Sequence, residues 1–200
     1  MAIQWEEASF KTNVLIKNII GKELINDDNV AVMELIKNSY DAGATRVDII
    51  FKNLFNDHEN NIINIDDVTN KTSQIIIQDD GLGMSKDDIL TKWLNIAYSS
   101  KKVEQTQNNR YQAGNKGVGR FSCDRLGKLL TIYTRKENEP LLKLSIDWTE
   151  FEKVNDIEKN IQDIDFELDE IPTEQYIQEK KIEKFSTGTT LFISDLREVW

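Results

Sequence analysis

Residues 31–45 read Ala-Val-Met-Glu-Leu-Ile-Lys-Asn-Ser-Tyr-Asp-Ala-Gly-Ala-Thr and predict a helix with one polar face. On a helix, steps of four and seven residues return to within about 40° of the starting direction, so Glu34, Asn38 and Asp41 share that face. Apolar side chains at neighbouring positions can pack on a core, namely Val32, Leu35, Ile36 and Tyr40.

The chemistry of this polar face suits a metal ion and a water molecule. A solvated helix typically places Lys or Arg four residues after Glu34, but Asn38 stands there. A carboxylate beside an amide oxygen fits Mg²⁺, which prefers oxygen ligands and keeps several waters. The alternative is an ordinary solvated helix face.

The composition indicates one globular domain. The chain has 200 residues, of which 39% are hydrophobic and 30% charged, and no apolar run is long enough for a membrane span. The N-terminus lacks the basic start and apolar stretch of a secretory signal. A single cysteine, Cys123, fits a reducing compartment, so we expect a cytoplasmic protein without membrane association.

The charge is spread unevenly along the chain. The net charge is −10, which argues against general nucleic-acid affinity, and residues 150–184 hold twelve acids against five bases. Residues 98–123 carry a net positive charge, with five bases and one acid. A basic, glycine-containing segment within an acidic domain indicates a local anionic ligand.

A second motif, Asp79-Asp80-Gly81-Leu82-Gly83, follows an apolar segment. Glycines at 81 and 83 let the backbone pass close to a flat ligand, and Asp79 can accept a hydrogen bond from an exocyclic amine. The alternative is a simple Asp-Gly turn.

A third motif, Gly114-Asn-Lys-Gly-Val-Gly119, precedes a predicted helix start, where free N–H groups attract phosphate. It is neither a Walker A loop nor a dinucleotide fingerprint, because the required Ser or Thr and the leading strand are missing. A flexible hinge is the alternative, although a hinge does not need Lys116 and Arg120. A fourth motif, Thr187-Gly-Thr-Thr190, opens the last predicted strand and is weak alone.

Helical patterns are expected on both sides of the central helix. An amphipathic helix is predicted at 8–22, and the loop at 26–29 supplies N-cap residues for the central helix, which Gly43 ends. Further helices are predicted at 85–93 and up to Leu126. The acidic stretch after Glu150 is expected to form surface helices broken near Pro172, and residues 99–115 a long loop.

Alternation of branched apolar residues predicts the strands. They are expected at 46–52, 73–78, 128–135, 141–148 and 188–194, with a short strand at 62–66. Helices segregated from a largely antiparallel sheet define an α+β sandwich.

The four motifs together resemble the GHKL superfamily of gyrase, heat-shock chaperone, histidine kinase and MutL-type ATPases, nearest its chaperone, MutL and MORC-like branches. The signature is Glu34-x-x-x-Asn38-x-x-Asp41, Asp79-x-Gly81-x-Gly83, Gly114-x-x-Gly117-x-Gly119 and Thr187-Gly-Thr189. The resemblance covers about residues 10–195 and implies the Bergerat fold, a two-layer α/β sandwich whose mixed, mostly antiparallel sheet is covered by helices on one face.

The resemblance also implies site roles. Glu34 would be the general base, and Asn38 the Mg²⁺ ligand. Asp79 would read the adenine amine of ATP. Residues 98–119 would form the ATP lid. The other nucleotide contacts implied are Asp41, Gly81, Gly83, Met84, Asn95, Lys101 or Lys102, Gly114, Lys116, Gly117, Val118, Gly119, Arg120 and Thr189.

The implied activity is Mg²⁺-dependent ATP hydrolysis that drives lid closure and dimerisation. We expect residues 1–200 to form one ATP-binding domain with an acidic insert at 150–184. The domain is expected to be the N-terminal part of a longer protein whose transducer domain supports turnover, so hydrolysis by this piece should be slow. DNA and a protein client are both open as partners. The alternatives are a histidine-kinase catalytic domain, for which His58 would be a poorly placed phosphoacceptor, and a nucleotide sensor without turnover.

Overall fold

A computed structural model describes residues 25, 27–52, 73–95, 106–107, 110–111, 113, 119–152, 164–180 and 186–198. The strands in these residues are β1 (Val47–Lys52), β2 (Gln74–Asp79), β3 (Thr106–Gln107), β4 (Arg110–Tyr111), β5 (Gly127–Arg135), β6 (Leu141–Asp147), β7 (Glu167–Ile171) and β8 (Gly188–Leu196). Six of them form one sheet in the order β1-β2-β8-β5-β6-β7, and β3 pairs with β4. Every pairing among the described strands is antiparallel, which confirms the predicted α+β class.

The central helix, α1 (Asp28–Asp41), begins within the predicted capping loop at 26–29 and ends two residues before Gly43. Its N-cap is Asp27, whose carboxylate accepts from the amides of Asn29 and Val30 at 2.7 and 3.2 Å. These bonds satisfy two of the free N–H groups that every helix start presents. At the other end Gly43 has a positive φ of 78°, which lets the chain leave the helix.

The described residues also form three shorter helices. They are α2 (Lys86–Asp88), which continues as a π-helical turn (Ile89–Trp93), α3 (Ser122–Leu126) after a 3₁₀ turn (Gly119–Phe121), and α4 (Thr173–Lys180). A further 3₁₀ turn spans Trp148–Phe151. A capping box opens α2, since the side chains of Ser85 and Asp88 each accept from the other residue's backbone N–H.

The core lies between one face of the sheet and α1, α3 and the π-helical and 3₁₀ turns. Its buried side chains include Ile75, Ile77, Leu130, Ile132, Leu144 and Ile193 from the strands and Ala31, Leu35, Ile89, Phe121 and Leu126 from the helical segments. Alternate residues of a strand face opposite sides, and Tyr133 accordingly packs with Tyr176 of α4 in a second cluster. The described part of the chain holds no helix long and apolar enough to cross a membrane.

The prediction of surface helices after Glu150 was partly wrong. Among the residues after Glu150 that the structure describes, 167–171 form β7, which pairs with β6, and the segment after Pro172 is helical. The strand is favoured because Ile164, Phe166 and Leu168 alternate with acids, so all three apolar side chains pack on the core while the acids face out.

The expectation that residues 99–115 are loop throughout was also inaccurate, because β3 and β4 form a short ribbon there. Backbone pairing of this kind needs no apolar alternation, so the sequence pattern did not signal it. The predicted helix at 8–22, the strand at 62–66 and His58 lie outside the described residues.

Strand β5 offers a test of the core. Ile132 is fully buried, whereas Leu129 on the same strand is 41% exposed. We expect Ile132→Ala to lower the free energy of unfolding by about 3 kcal/mol, because it leaves a cavity. Leu129→Ala, the matched control, should cost less than about 1 kcal/mol. Urea unfolding measures both, and equal losses would contradict this placement of the core.

Candidate functional site

The site is built on a row of polar residues across three neighbouring strands. In the register of the sheet, Asp79 of β2 lies opposite Thr189 of β8, and Thr189 lies opposite Thr134 of β5. Directly opposite residues on neighbouring strands have adjacent side chains. The sheet therefore brings together three groups that are up to 110 residues apart in the chain.

The carboxylate of Asp79 is held by three donors. Its Oδ1 accepts from the amides of Gly81 at 3.0 Å and Thr189 at 3.1 Å. Its Oδ2 accepts from the hydroxyl of Ser39, on α1, at 2.9 Å. A carboxylate offers about four acceptor positions, so Asp79 keeps acceptor capacity for a further donor.

Burial at the end of β2 raises the pKa of Asp79, because removal from water disfavours the ionised form. The hydrogen bonds from Gly81, Ser39 and Thr189 act in the opposite direction. The three donors thus offset part of the cost of keeping a carboxylate at this position.

Thr134, fully buried on β5, organises the neighbouring wall. Its hydroxyl accepts from the Met84 amide at 2.9 Å and lies 3.2 Å from the Gly188 carbonyl oxygen and 3.0 Å from the Thr189 hydroxyl. A hydroxyl has one hydrogen, so donation to Gly188 leaves Thr189 as donor to Thr134. The Thr189 oxygen then keeps its lone pairs as acceptors.

Two glycines permit the close backbone approach that this row needs. Gly83 has a φ of +67°, and a Cβ there would overlap the Arg135 carbonyl oxygen. Gly188 has a φ of +115°, and a Cβ there would overlap the Asp79 carbonyl oxygen. Both positions exclude other residues on conformational and steric grounds.

The turn after β2 also fastens the end of α1. The Leu82 amide donates to the Ala42 carbonyl at 2.9 Å, and a Cβ at Gly81 would lie 2.9 Å from the same oxygen. Asp80 accepts from the amides of Thr45 and Arg46 at 2.7 and 2.8 Å. The Thr45 hydroxyl, which also donates to Asp80, lowers the pKa of this carboxyl together with those amides.

The polar face of α1 lies beside the segment that follows the third motif. A Cβ at Gly119 would lie 3.3 Å from Asn38 Nδ2 and 3.7 Å from Glu34 Oε2. Within the described residues, no hydrogen bond is seen to the side-chain amide of Asn38. Glu34 Oε1 forms an ion pair with Lys37 Nζ at 2.6 Å. Glu34 and Asn38 therefore present oxygen atoms on one side of the helix, next to a position without a side chain.

Asp41, the third member of the polar face, is buried and accepts from the Ala113 amide at 2.7 Å. This bond joins the end of α1 to the segment just before the third motif. Asp41 thus supports the surroundings of the site through the backbone of that segment.

Arg120 contacts the end of the π-helical turn. Its Nη1 donates to the carbonyls of Lys92 and Asn95 at 2.7 and 3.2 Å, and its guanidinium lies 5.9 Å from the Trp93 ring centroid. Burial lowers the pKa of Arg120 to about 10, which leaves it charged at neutral pH. Arg120 and Asn95 therefore link the end of the π-helical turn to the 3₁₀ turn that begins at Gly119.

The structure places eight of the eleven predicted site residues that it describes in two groups, and adds three residues. Glu34, Asn38 and Gly119 form one group, and Asp79, Gly81, Gly83, Met84 and Thr189 form the other. Lys101, Gly114, Lys116, Gly117 and Val118 lie outside the described residues. Sequence reasoning missed Ser39, Thr134 and Lys37; only Lys37 had a signal, its i,i+3 spacing from Glu34.

A buried carboxylate at a strand end, beside a helix with a carboxylate–amide pair, is the arrangement that the resemblance to the GHKL superfamily implies for a nucleotide-binding domain. Comparison with known families agrees. The model of the family described as histidine kinase-, DNA gyrase B- and HSP90-like ATPase matches residues 26–189. The chain belongs to this family, which confirms the resemblance and makes it an ATP-binding domain.

Two curated relatives are similar over part of their length. "Putative type II restriction enzyme HgiDII" of Herpetosiphon aurantiacus is 29% identical over 135 residues, and the mitochondrial TNF receptor-associated protein 1 homolog of Dictyostelium discoideum 32% identical over 142 residues. These matches cover 67% and 65% of this chain but 19% of each relative. The chain thus spans about a fifth of the length of the curated relatives it matches.

Among solved structures, the N-terminal domain of a DNA repair protein aligns with a TM-score of 0.49 and 20% sequence identity. The alignment covers 90% of this chain and 39% of that one.

The raised pKa of Asp79 predicts how its contribution to stability depends on pH. The folded state holds this proton more tightly than the unfolded state, whose pKa is near the ordinary 3.8. The contribution of Asp79 to the free energy of unfolding should therefore fall as pH rises from about 3.8 through the raised pKa. Asp79→Asn has no such titration, because an amide does not ionise in this range. The variant should still fold, since its amide can accept from Gly81 and Thr189 and donate to Ser39.

Urea unfolding of wild type and Asp79→Asn at several pH values measures this difference. We expect the stability of the wild type relative to the variant to decline across the acidic range and then level off. Asp169→Asn, which removes an exposed carboxylate from β7, controls for the change in net charge. A relative stability that rises with pH would contradict the assignment.

Proposed function

We propose that this domain binds Mg²⁺-ATP through Asp79 and hydrolyses it with Glu34 as the general base. The observation that carries the proposal is the Asp79 carboxylate, which three donors fix at the end of a buried strand while acceptor capacity remains. A fixed, desolvated acceptor is suited to reading one exocyclic amine.

Adenine fits this acceptor and guanine does not. The adenine edge offers an amine to Asp79, whereas guanine has a carbonyl oxygen at the corresponding position, which would face a carboxylate oxygen without a hydrogen between them. The Thr189 oxygen, with its hydrogen directed to Thr134, is a second acceptor at the same wall.

The phosphates are assigned to the part of α1 around Glu34 and Asn38, on the N-terminal side of Ser39. Glu34 and Ser39 are five residues apart, about 7.5 Å along a helix axis, so α1 can span from the base to the phosphates. The oxygens of Glu34 and Asn38 beside Gly119 are the donor set that Mg²⁺ prefers, and we assign Asn38 as its protein ligand. When bound, Mg²⁺ neutralises charge on the phosphate oxygens. Glu34 orients the attacking water and accepts its proton.

We further propose that residues 98–119 form a lid that closes over ATP. The hydrogen bond from the Ala113 amide to Asp41 supports this, since it ties this segment to α1, the helix that carries Glu34. On this proposal Lys101, Gly114, Lys116, Gly117 and Val118 meet the phosphates. Residues 1–200 would form one domain with an acidic insert at about 150–184.

The proposed cycle couples lid closure to homodimerisation and to a transducer domain that follows in a longer protein. The length of the curated relatives is consistent with additional domains. One relative is named a restriction enzyme and the other a TNF receptor-associated protein homolog, so we keep DNA and a protein client as the two partner classes.

Isothermal titration tests the base-reading role of Asp79. We expect the wild type to bind a non-hydrolysable ATP analogue with Mg²⁺, and Asp79→Asn to lose at least about 30-fold in affinity, because its amide would turn a donor toward the adenine amine. The corresponding GTP analogue should bind the wild type at least as weakly. Asp169→Asn is the charge-matched control, and unchanged ATP affinity in Asp79→Asn would overturn the assignment.

Single-turnover hydrolysis tests Glu34. Glu34→Gln keeps the shape of the side chain but cannot accept the proton, so we expect at least about 100-fold slower hydrolysis with ATP affinity unchanged within twofold. Asn38→Ala should instead lose the Mg²⁺ dependence of binding. Wild-type hydrolysis rates in Glu34→Gln would rule out its role as the base.

A further inference from the structure

Lys37 lies in the proposed phosphate end of the site, and the proposed function gives it no role. Its Nζ is 2.6 Å from Glu34 Oε1, and the side chains of Lys37 and Glu34 are 40% and 30% exposed. The cation is thus bonded to the same carboxylate that we assign as the base.

The two oxygens of Glu34 have different surroundings. Oε1 accepts from Lys37, whereas Oε2 is the Glu34 oxygen that faces Gly119, 3.7 Å from where a Cβ of that residue would stand. On the helix, Lys37 projects about 60° to one side of Glu34 and Asn38 about 40° to the other. Lys37 and Asn38 therefore flank the carboxylate, one as a cation and one as a neutral amide.

An ion pair of this exposure on a helix surface contributes little to stability, so folding alone gives no strong reason for it. Its location gives it another use. A lysine ammonium is a compact charge on a flexible four-carbon stem, and it can exchange one anionic partner for another within a few ångströms. A terminal phosphate beside Glu34 would offer several anionic oxygens in place of one.

We propose that Lys37 is a positioning residue that senses the terminal phosphate of ATP. Without that phosphate, its ammonium holds Glu34 Oε1. When ATP occupies the site, the ammonium moves to an oxygen of the terminal phosphate and releases Glu34 to orient water. Lys37 thereby makes the site prefer the triphosphate over the diphosphate. This inference rests on the proposed function.

Titration of Lys37→Met with a non-hydrolysable ATP analogue and with ADP, each with Mg²⁺, tests the proposal. We expect affinity for the ATP analogue to fall about tenfold and affinity for ADP to change by less than twofold, because only the ATP analogue carries the terminal phosphate. Lys37→Arg should recover most of the loss. Lys128→Met removes a lysine of similar exposure that pairs with Asp195 and should leave both affinities unchanged.

The same titrations in a Glu34→Gln background separate sensing from mere support of Glu34. If Lys37 binds the phosphate, Lys37→Met must still lose affinity for the ATP analogue when Glu34 is already neutral. A loss that disappears in that background would overturn the proposal, as would equal losses for the ATP analogue and ADP. Lys37→Gln is a second neutral variant, and a thermal melt of each variant detects a folding defect. A loss of affinity for the ATP analogue that is limited to misfolded variants would also overturn the proposal.

Failure of this inference is distinguishable from failure of the proposed function. Wild type that binds neither nucleotide would remove both. Wild type that binds ADP and the ATP analogue through Asp79, with no effect of Lys37→Met on their ratio, would retain the nucleotide site and reject Lys37 as its sensor.

Discussion

The hydrogen bonds that hold Asp79 join three separate parts of the fold. Their donors come from α1, from the turn after β2 and from β8, so the carboxylate has this geometry only when helix, turn and sheet are assembled. The requirement is strict because a buried carboxylate without donors is costly. The site is therefore a consequence of the sheet register, and a slip of one residue between β2 and β8 would turn Thr189 to the opposite face.

The same bonds set the position of α1. Ser39 ties the helix to Asp79, while the Leu82 amide and Asp80 fix the chain just after it. Glu34, Lys37 and Asn38 lie further toward the N-terminus on this fixed helix. Asp79 and Glu34 are thus connected by one rigid element, and their separation does not depend on a loop. In the function proposed above, this rigid support would hold the Glu34 carboxylate where it can meet a water near the phosphate.

The fold followed from local signals, and the site only partly did. Helix α1, its Asp27 cap, the strands and the capping box of α2 are encoded by periodicity and capping residues over a few positions, so they could be predicted. The alternation Ile164, Phe166, Leu168 also encoded an edge strand, but the surrounding acids favoured a reading as surface helix.

The contributions of Thr134 and Ser39 had no local signal. Thr134 is an ordinary β-branched residue within an apolar strand. Its role arises because β5 pairs with β8, which places Thr134 opposite Thr189, 55 residues further along the chain. Ser39 lies next to the polar stripe of α1, and its bond to Asp79 depends on how the helix packs on the sheet. Long-range register and packing decide such contacts, and neither is visible in the spacing of residues along a single chain.

A crystal structure of the chain with an ATP analogue and Mg²⁺ would test the central claim most directly, through the distance from Asp79 to the adenine amine. The assignment requires the adenine amine nitrogen to lie about 3 Å from an Asp79 carboxylate oxygen. It also requires the phosphates to lie beside Glu34 and Asn38. A nucleotide bound with its base away from Asp79, or with its phosphates at the Asp79 end of α1, would contradict it.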